Sequence, residues 1–189
     1  MVAKTGLKRA TYADLALLPP NHVGEILRGV LHSHPRPALP HTVAASVLGD
    51  ELGPPFFRGR GGPGGWVILD EPEIHLGAEP DIVVPDLAGW QRARMPEIPQ
   101  SAFVTLAPDW ICEVVSLSTE AIGRGEKLPI YARERVGHAW LVDPIIRTLE
   151  VFRLDGEGWR LAGTWRDDAK VRAEPFDAIE LELAALWSR

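Results

Sequence analysis

One cysteine, Cys112, stands in the 189 residues, so no intramolecular disulfide can form. A chain without that cross-link suits a reducing compartment, and a cytoplasmic location is expected. Long apolar runs are missing as well. No stretch approaches the ~18 apolar residues of a membrane span. Met1-Val2-Ala3-Lys4-Thr5-Gly6 leads into a polar segment rather than an apolar secretory leader. Excess positive charge is also lacking, with a formal net charge of -6 and a pI near 5.5. That balance argues against a protein holding nucleic acid by bulk charge. It leaves room for an enzyme that uses a metal ion and a local basic patch.

What is present supports a folded core. The chain is 46% hydrophobic, enough for one ordinary globular domain, expected over residues 1–189. Seventeen prolines and 18 glycines predict many loops and short helices. Thr11-Tyr12-Ala13-Asp14 has the spacing of a capping box with Asp in place of Glu, and predicts a short helix through Leu18. Gly24 to His32 reads as a hairpin around Gly29, with Glu25 on its first strand. His41 to Leu52 reads as a helix with Val43, Val47 and Leu48 on one side.

Arg58-Gly59-Arg60-Gly61-Gly62-Pro63-Gly64-Gly65 has the glycine content of a phosphate cradle. It lacks the Gly-Lys-Ser/Thr that opens a helix in a P-loop, and a strand at Trp66 to Leu69 follows it. It reads as a flexible loop, with a role for its two arginines near a polyanion as the second option. Further strands are expected at Glu73–Leu76, Asp81–Val84, Trp110–Val115 and His138–Val142, with an irregular stretch over 85–107. A helix capped at Ser116 to Thr119 is expected to run to about Val136, broken near Gly123 and Gly125. A hairpin from Arg147 to Trp165 and a short terminal helix complete the chain. No internal repeat is visible. The order predicts an α/β or α+β fold, one mixed sheet with helices at its faces.

Two of these strands carry carboxylates. Alternation along Trp110-Ile111-Cys112-Glu113-Val114-Val115 places Glu113 on the face of Ile111 and Val115. A carboxylate among apolar neighbours is costly unless something compensates it. Asp81 follows Pro80 and shares a face with Val83. On adjacent strands the two acids would repel each other unless a proton or cation lay between them. Oxygen-only ligands suit Mg²⁺ or Mn²⁺, with Asp81 and Glu113 as the metal ligands. Lys127, one helical segment on, can reach the same point to position or help deprotonate a water, or to offset transition-state charge. Each residue also has an ordinary reading: an Arg-paired or edge-strand Glu113, a turn-capping Asp81, a solvated Lys127. Together they are the equipment of metal-assisted phosphodiester hydrolysis. Tyr131, four residues after Lys127, lies on the same helical face and reads as packing or site wall.

Five stretches carry a family resemblance: Gly24-Glu25-Ile26-Leu27-Arg28-Gly29-Val30-Leu31, Glu79-Pro80-Asp81-Ile82-Val83-Val84, Pro108-Asp109-Trp110-Ile111-Cys112-Glu113-Val114-Val115-Ser116, Gly125-Glu126-Lys127-Leu128-Pro129-Ile130-Tyr131-Ala132 and Ala139-Trp140-Leu141-Val142-Asp143-Pro144. In this order they resemble the Uma-type family of "putative restriction endonucleases", within the PD-(D/E)XK nuclease superfamily. The resemblance implies a restriction-endonuclease-like core and a Mg²⁺-dependent endonuclease acting on nucleic acid, with DNA the expected substrate. It matches Asp81 to the first acidic position, Glu113 to the second and Glu25 to an early acidic position. Val115 occupies the superfamily's usual lysine position, so the lysine is drawn from the following helix as Lys127. Leu117, Gly123-Arg124-Gly125 and Pro129 depart from the family's pattern and bear on the angle of that helix. Analogy with nucleases that cut both strands suggests a homodimer.

Two rival readings stand beside this one. His32-Ser33-His34 places both imidazoles on one strand face, and with His41 or Asp81 nearby such a set can hold zinc. A catalytically inactive module that keeps the nuclease fold to bind nucleic acid or protein is the other, and the acidic balance favours it.

Overall fold

The computed structural model describes residues 9–115 and 122–187, and among them are two main β-sheets, a separate two-stranded ribbon (Lys170–Val171 with Leu181–Glu182) and three α-helices, of which α1 is Tyr12–Leu15. The smaller sheet contains β1 (His22–Leu27), β2 (Val30–Pro35), β4 (Ile74–Leu76) and β5 (Asp81–Val83), in the antiparallel order β2-β1-β5-β4. The larger contains β3 (Trp66–Asp70), β6 (Leu87–Gln91), β7 (Trp110–Val114), β8 (His138–Asp143), β9 (Thr148–Asp155) and β10 (Gly158–Arg166), in the order β10-β9-β8-β7-β6-β3. Only β7 and β8 run parallel in it, which makes the sheet mixed. A parallel pair needs a crossover, and the crossover here ends in α3 (Leu128–Arg133). The mixed central sheet flanked by helices agrees with the sequence reading. The separate sheet formed by β1, β2, β4 and β5 was not legible as such. β5 hands the chain to β6 through Val84-Pro85-Asp86, and that three-residue corner joins the sheets.

β7 lies inside the larger sheet and is buried on both faces. Trp110, Cys112 and Val114 join one core cluster, with Ala44, Leu48 and Leu52 of α2 (Leu39–Leu52) and with Trp140 and Phe176. The Trp110 and Trp140 rings meet edge to face at 5.3 Å, and Phe176 packs edge-on against both. Ile111 and Val115 join the opposite cluster, with Trp90, Leu128, Tyr131 and Leu141. Each such large buried side chain contributes about 1.5–3 kcal/mol. Glu113 points into the second face, as alternation predicts. The stripe that α2 buries is Ala44, Leu48 and Leu52, at i, i+4 spacing, whereas Val43 is exposed. Leu48, and Val47 in part, face the core as the sequence pattern predicts, with the small Ala44 taking the place of Val43.

The stretch 85–107, expected to be irregular, contains β6. Its Leu87-Ala88-Gly89-Trp90 run carries a glycine where a strand ordinarily carries a bulky residue. The reason is spatial: a Cβ on Gly89 would lie 3.1 Å from the Trp110 ring and 3.2 Å from that of Trp66. The helix expected from Ser116 lies partly outside the described residues. Gly123–Lys127 forms a wide, π-type turn that leads directly into α3. Among the described residues no helix is long and apolar enough to cross a membrane.

Candidate active site

Lys127 is 4% exposed, the least expected fate of a lysine, and the local chain explains how it got there. Pro129 falls in the first turn of α3. A proline there has no N–H to give and would collide with the carbonyl four residues back in a regular helix. The chain before it instead winds wide over Gly123–Lys127, and the Leu128 amide caps that turn on Gly123 O. Lys127 is the last residue of this turn and faces inward.

Its ammonium sits among carboxylates. Lys127 Nζ lies 2.7 Å from both Glu113 oxygens and 2.9 Å from Glu25 Oε1. It also donates to Val84 O at 3.2 Å. The Val84 amide in turn donates to Glu25 Oε1 at 2.7 Å. Both polar groups of this backbone position at the sheet-to-sheet corner are thereby held by site residues. Tyr131, fully buried on α3, donates its hydroxyl to Glu113 Oε1 at 2.7 Å. Three of the four expected residues, Glu25, Glu113 and Lys127, are thus brought together.

The fourth is not among them. Asp81 and Glu113 were expected on adjacent strands, yet β5 and β7 belong to different sheets. Asp81 Oδ2 accepts from the Arg133 guanidinium at 2.7 Å, and its Oδ1 accepts from the Arg28 amide. Arg28 and Gly29 form the two-residue loop between β1 and β2, at φ 53° and 80°. Tight hairpins require positive φ at both positions, which a non-glycine residue adopts at a cost. Asp81 therefore braces a strained hairpin turn rather than the cluster around Lys127.

Asp86 occupies the place that Asp81 was expected to fill. It follows Pro85 at the corner between the sheets, one residue before β6. Asp86 Oδ2 accepts from the Val114 amide at 2.6 Å, beside Glu113, and Oδ1 lies 3.2 Å from His41 Nε2. A cavity of about 50 Å³ opens here, its polar lining made by Glu25, His34, His41, Asp86, Glu113 and Lys127. The sequence signal that points to Asp86 is a second Pro-Asp pair placed just ahead of a buried strand. Val115, in the superfamily's lysine position, lies buried at the edge of the same cavity. His32 pairs with Glu25 in strand register, and His34 Nδ1 lies 3.1 Å from Pro35 O. Among the described residues no three His, Cys, Asp or Glu side chains are grouped as a metal cage, which holds for these histidines and for the carboxylates alike.

The electrostatics of the cluster follow from burial and crowding. Burial pushes the Glu113 carboxyl up to about 7; Lys127 pulls against this, while Asp86 and Glu25 add to it. Burial alone would lower the proton affinity of Lys127, but Glu113 and Glu25 outweigh it and the ammonium is held more firmly than usual. Tyr131 is pushed well up by burial and then by Glu113 and Glu25, so its hydroxyl stays a donor. His41 is drawn down by burial, but Asp86, with Glu113 and Glu71, outweighs this and the net shift is a rise. Three carboxyl groups, one of them raised to about 7, thus share a confined space with the Lys127 ammonium and with His41, whose proton affinity is raised.

Carboxylate oxygens lining the cavity are the hard donors that suit a divalent cation of the Mg²⁺ type, which would favour the ionised form of Glu113. Asp86 and Glu113, which both line the cavity, are carboxylates that could hold one. Two carboxylates do not make an all-protein cage, and Mg²⁺ ordinarily completes its shell with waters and substrate phosphates.

The family described as "Uma2: Putative restriction endonuclease" matches residues 9–185. A solved structure described as a "putative nuclease belonging to DUF820 from Anabaena variabilis" superimposes with a TM-score of 0.69, covering 92% of this chain and 94% of that one at 20% identity. At that identity the likeness concerns the fold, which is nuclease-like. No curated protein matches the chain. With the match extending over nearly its whole length, the chain belongs to the Uma2 family.

Proposed function

We propose that this member of the Uma2 family is a metal-dependent endonuclease that hydrolyses phosphodiester bonds of DNA. The observation that carries the reading is the buried Lys127 ammonium, 2.7 Å from Glu113 and beside a cavity that Asp86 also lines. Asp86 and Glu113 are the metal ligands, and they take over the pairing first expected of Asp81 and Glu113. Mg²⁺ or Mn²⁺ held there would polarise the scissile phosphate and lower the pKa of bound water.

The chain's own residues do the rest. Lys127 is held protonated by its acidic neighbours, so it does not serve as the base; it orients the attacking water and offsets charge developing on the phosphate. Glu25 is the second carboxylate partner of Lys127 and anchors the Val84 amide. Tyr131 holds one Glu113 oxygen in place. His41 steadies Asp86 from α2.

The test is calorimetric titration with Mg²⁺ or Mn²⁺ together with a plasmid-nicking assay, using Glu113→Ala as control. Metal binding and nicking by the wild type, both lost in Glu113→Ala, is the expected result. Equal nicking by the two proteins removes the assignment of Glu113. Nucleic-acid binding with neither metal binding nor nicking makes the chain a non-catalytic module of the nuclease fold.

A further inference from the structure

The arginine and glycine loop between α2 and β3 has no part in the site described above, yet it is not slack chain. After α2 the backbone winds through a second wide turn, Gly53–Phe57, that accommodates Pro54 and Pro55. The loop is then laced onto this turn: the amides of Arg58, Arg60 and Gly64 donate to the carbonyls of Gly53, Pro54 and Pro55 at 3.0, 2.7 and 2.8 Å. Gly62 sits so close to Pro55 that a Cβ would lie 2.4 Å from the proline Cβ. Gly59, Gly61, Gly64 and Gly65 all take positive φ. Such a run of glycines gives the loop a fixed shape that other residues could not adopt.

That shape presents charge. Arg58 and Arg60 are exposed, and among the described residues neither side chain has an ion-pair or hydrogen-bond partner. Arg92, just past β6, is tied to the same loop, its amide donating to Gly65 O at 2.8 Å. Its guanidinium stands 5.5 Å from the centre of the Phe57 ring and donates to Trp66 O, again without a carboxylate. Arg9, Arg28, Arg36, Arg94, Arg133 and Arg153, by contrast, are all ion-paired. Arg135, Arg147, Arg166 and Arg172 also have no carboxylate partner among the described residues, but Arg58 and Arg60 on the braced loop and Arg92 tied to it form a local positive surface in a chain of net charge -6. Guanidinium groups pair readily with phosphate oxygens.

β6 fixes where this surface lies relative to the cavity. Asp86 precedes the strand at one end and Arg92 follows it at the other. The six steps of extended chain between them span about 20 Å, so the arginines lie at the end of β6 away from the cavity. We propose that Arg58, Arg60 and Arg92 form a second nucleic-acid contact, gripping the phosphate backbone of duplex outside the cavity. The proposal rests on the nuclease reading, and it supplies the local basic patch that an acidic nuclease needs.

The experiment measures binding of a fluorescein-labelled 30-base-pair DNA duplex by anisotropy in EDTA, across a KCl series, for the full chain. Each phosphate contact contributes about 0.9 to the slope of log K against log salt. The triple variant Arg58→Gln, Arg60→Gln, Arg92→Gln is expected to bind more weakly and to lose about 2 to 3 units of that slope. The double variant Arg58→Gln, Arg60→Gln, which leaves the Arg92 packing on Phe57 intact, is expected to lose about 2. Wild-type binding with an unchanged slope in both variants overturns this surface and leaves the nuclease reading standing. A wild type that neither binds the duplex in EDTA nor nicks plasmid with Mg²⁺ overturns both.

Discussion

Lys127 Nζ and Glu113 Oε2 lie 2.7 Å apart, both buried, though the two residues are 14 positions apart and on different elements. The pair can persist only because each charge is supplied with further partners: Glu25 and Val84 O for the lysine, Tyr131 for the glutamate. Removing one member of such a pair strands the other in a low-dielectric site.

Lys127→Met is therefore expected to act twice. It leaves Glu25 and Glu113 facing each other without a cation, and thermal or urea unfolding should show a loss of about 3–5 kcal/mol. Independently of that loss, nicking at a temperature where the variant remains folded should fall by about 10² or more, the usual scale for removing a group that stabilises transition-state charge. Full nicking in the folded variant would contradict the assigned role.

Tyr131→Phe removes one hydroxyl and leaves the ring packing in place. The Glu113 oxygen then loses a buried donor, which costs about 1–3 kcal/mol of stability. If Tyr131 positions Glu113, kcat falls while KM for DNA stays near the wild-type value. A variant with lowered stability and unchanged kcat would make Tyr131 a structural residue only.

Away from the cavity, His138 gives a pH test. Burial lowers its proton affinity, and the neighbouring Arg153 guanidinium lowers it further. Glu174 lies 3.8 Å from the imidazole, but its carboxylate is already engaged by Arg153. A histidine whose folded-state pKa lies below the unfolded value of about 6.5 takes up its proton more readily when unfolded. Stability is then lost as pH falls through about 6.5 and below. Urea midpoints at pH 7.5 and 5.5 should differ less in His138→Gln than in the wild type; an identical difference would contradict the account.

Much of the site was legible because of a mismatch between residue and context. Glu113 among Ile111 and Val115, and Glu25 on the first hairpin strand, are charges in strands that bury them. Lys127 followed from the family pattern and from Val115 standing where a lysine is usual. Asp86 escaped because Pro85-Asp86 reads as a turn, and because Gly89 and Ala88 hide the strand that follows. Asp81 drew attention because Pro80-Asp81 opens a recognisable apolar strand. Local pattern contains nothing to show that this strand joins the other sheet, since sheet membership is decided by long-range pairing. His41 was legible as a residue able to border the acidic cleft, but its pairing with Asp86 from a separate helix was hidden by the same limit.

Asp86 and Asp81 offer the sharpest comparison, since each follows a proline and only one reaches the cavity. Asp81→Asn weakens the brace on the Arg28-Gly29 turn and the pairing with the half-exposed Arg133, costing about 1–2 kcal/mol of stability. It should leave Mg²⁺-dependent nicking near the wild-type rate at a temperature where the protein is folded. Asp86→Asn should abolish both the nicking and the heat of Mg²⁺ binding while the protein stays folded. The most direct measurement of the central claim is a side-by-side Mg²⁺-dependent nicking assay of these two variants. The account predicts activity in Asp81→Asn and none in Asp86→Asn, and the reverse result, or equal activity in both, would contradict it.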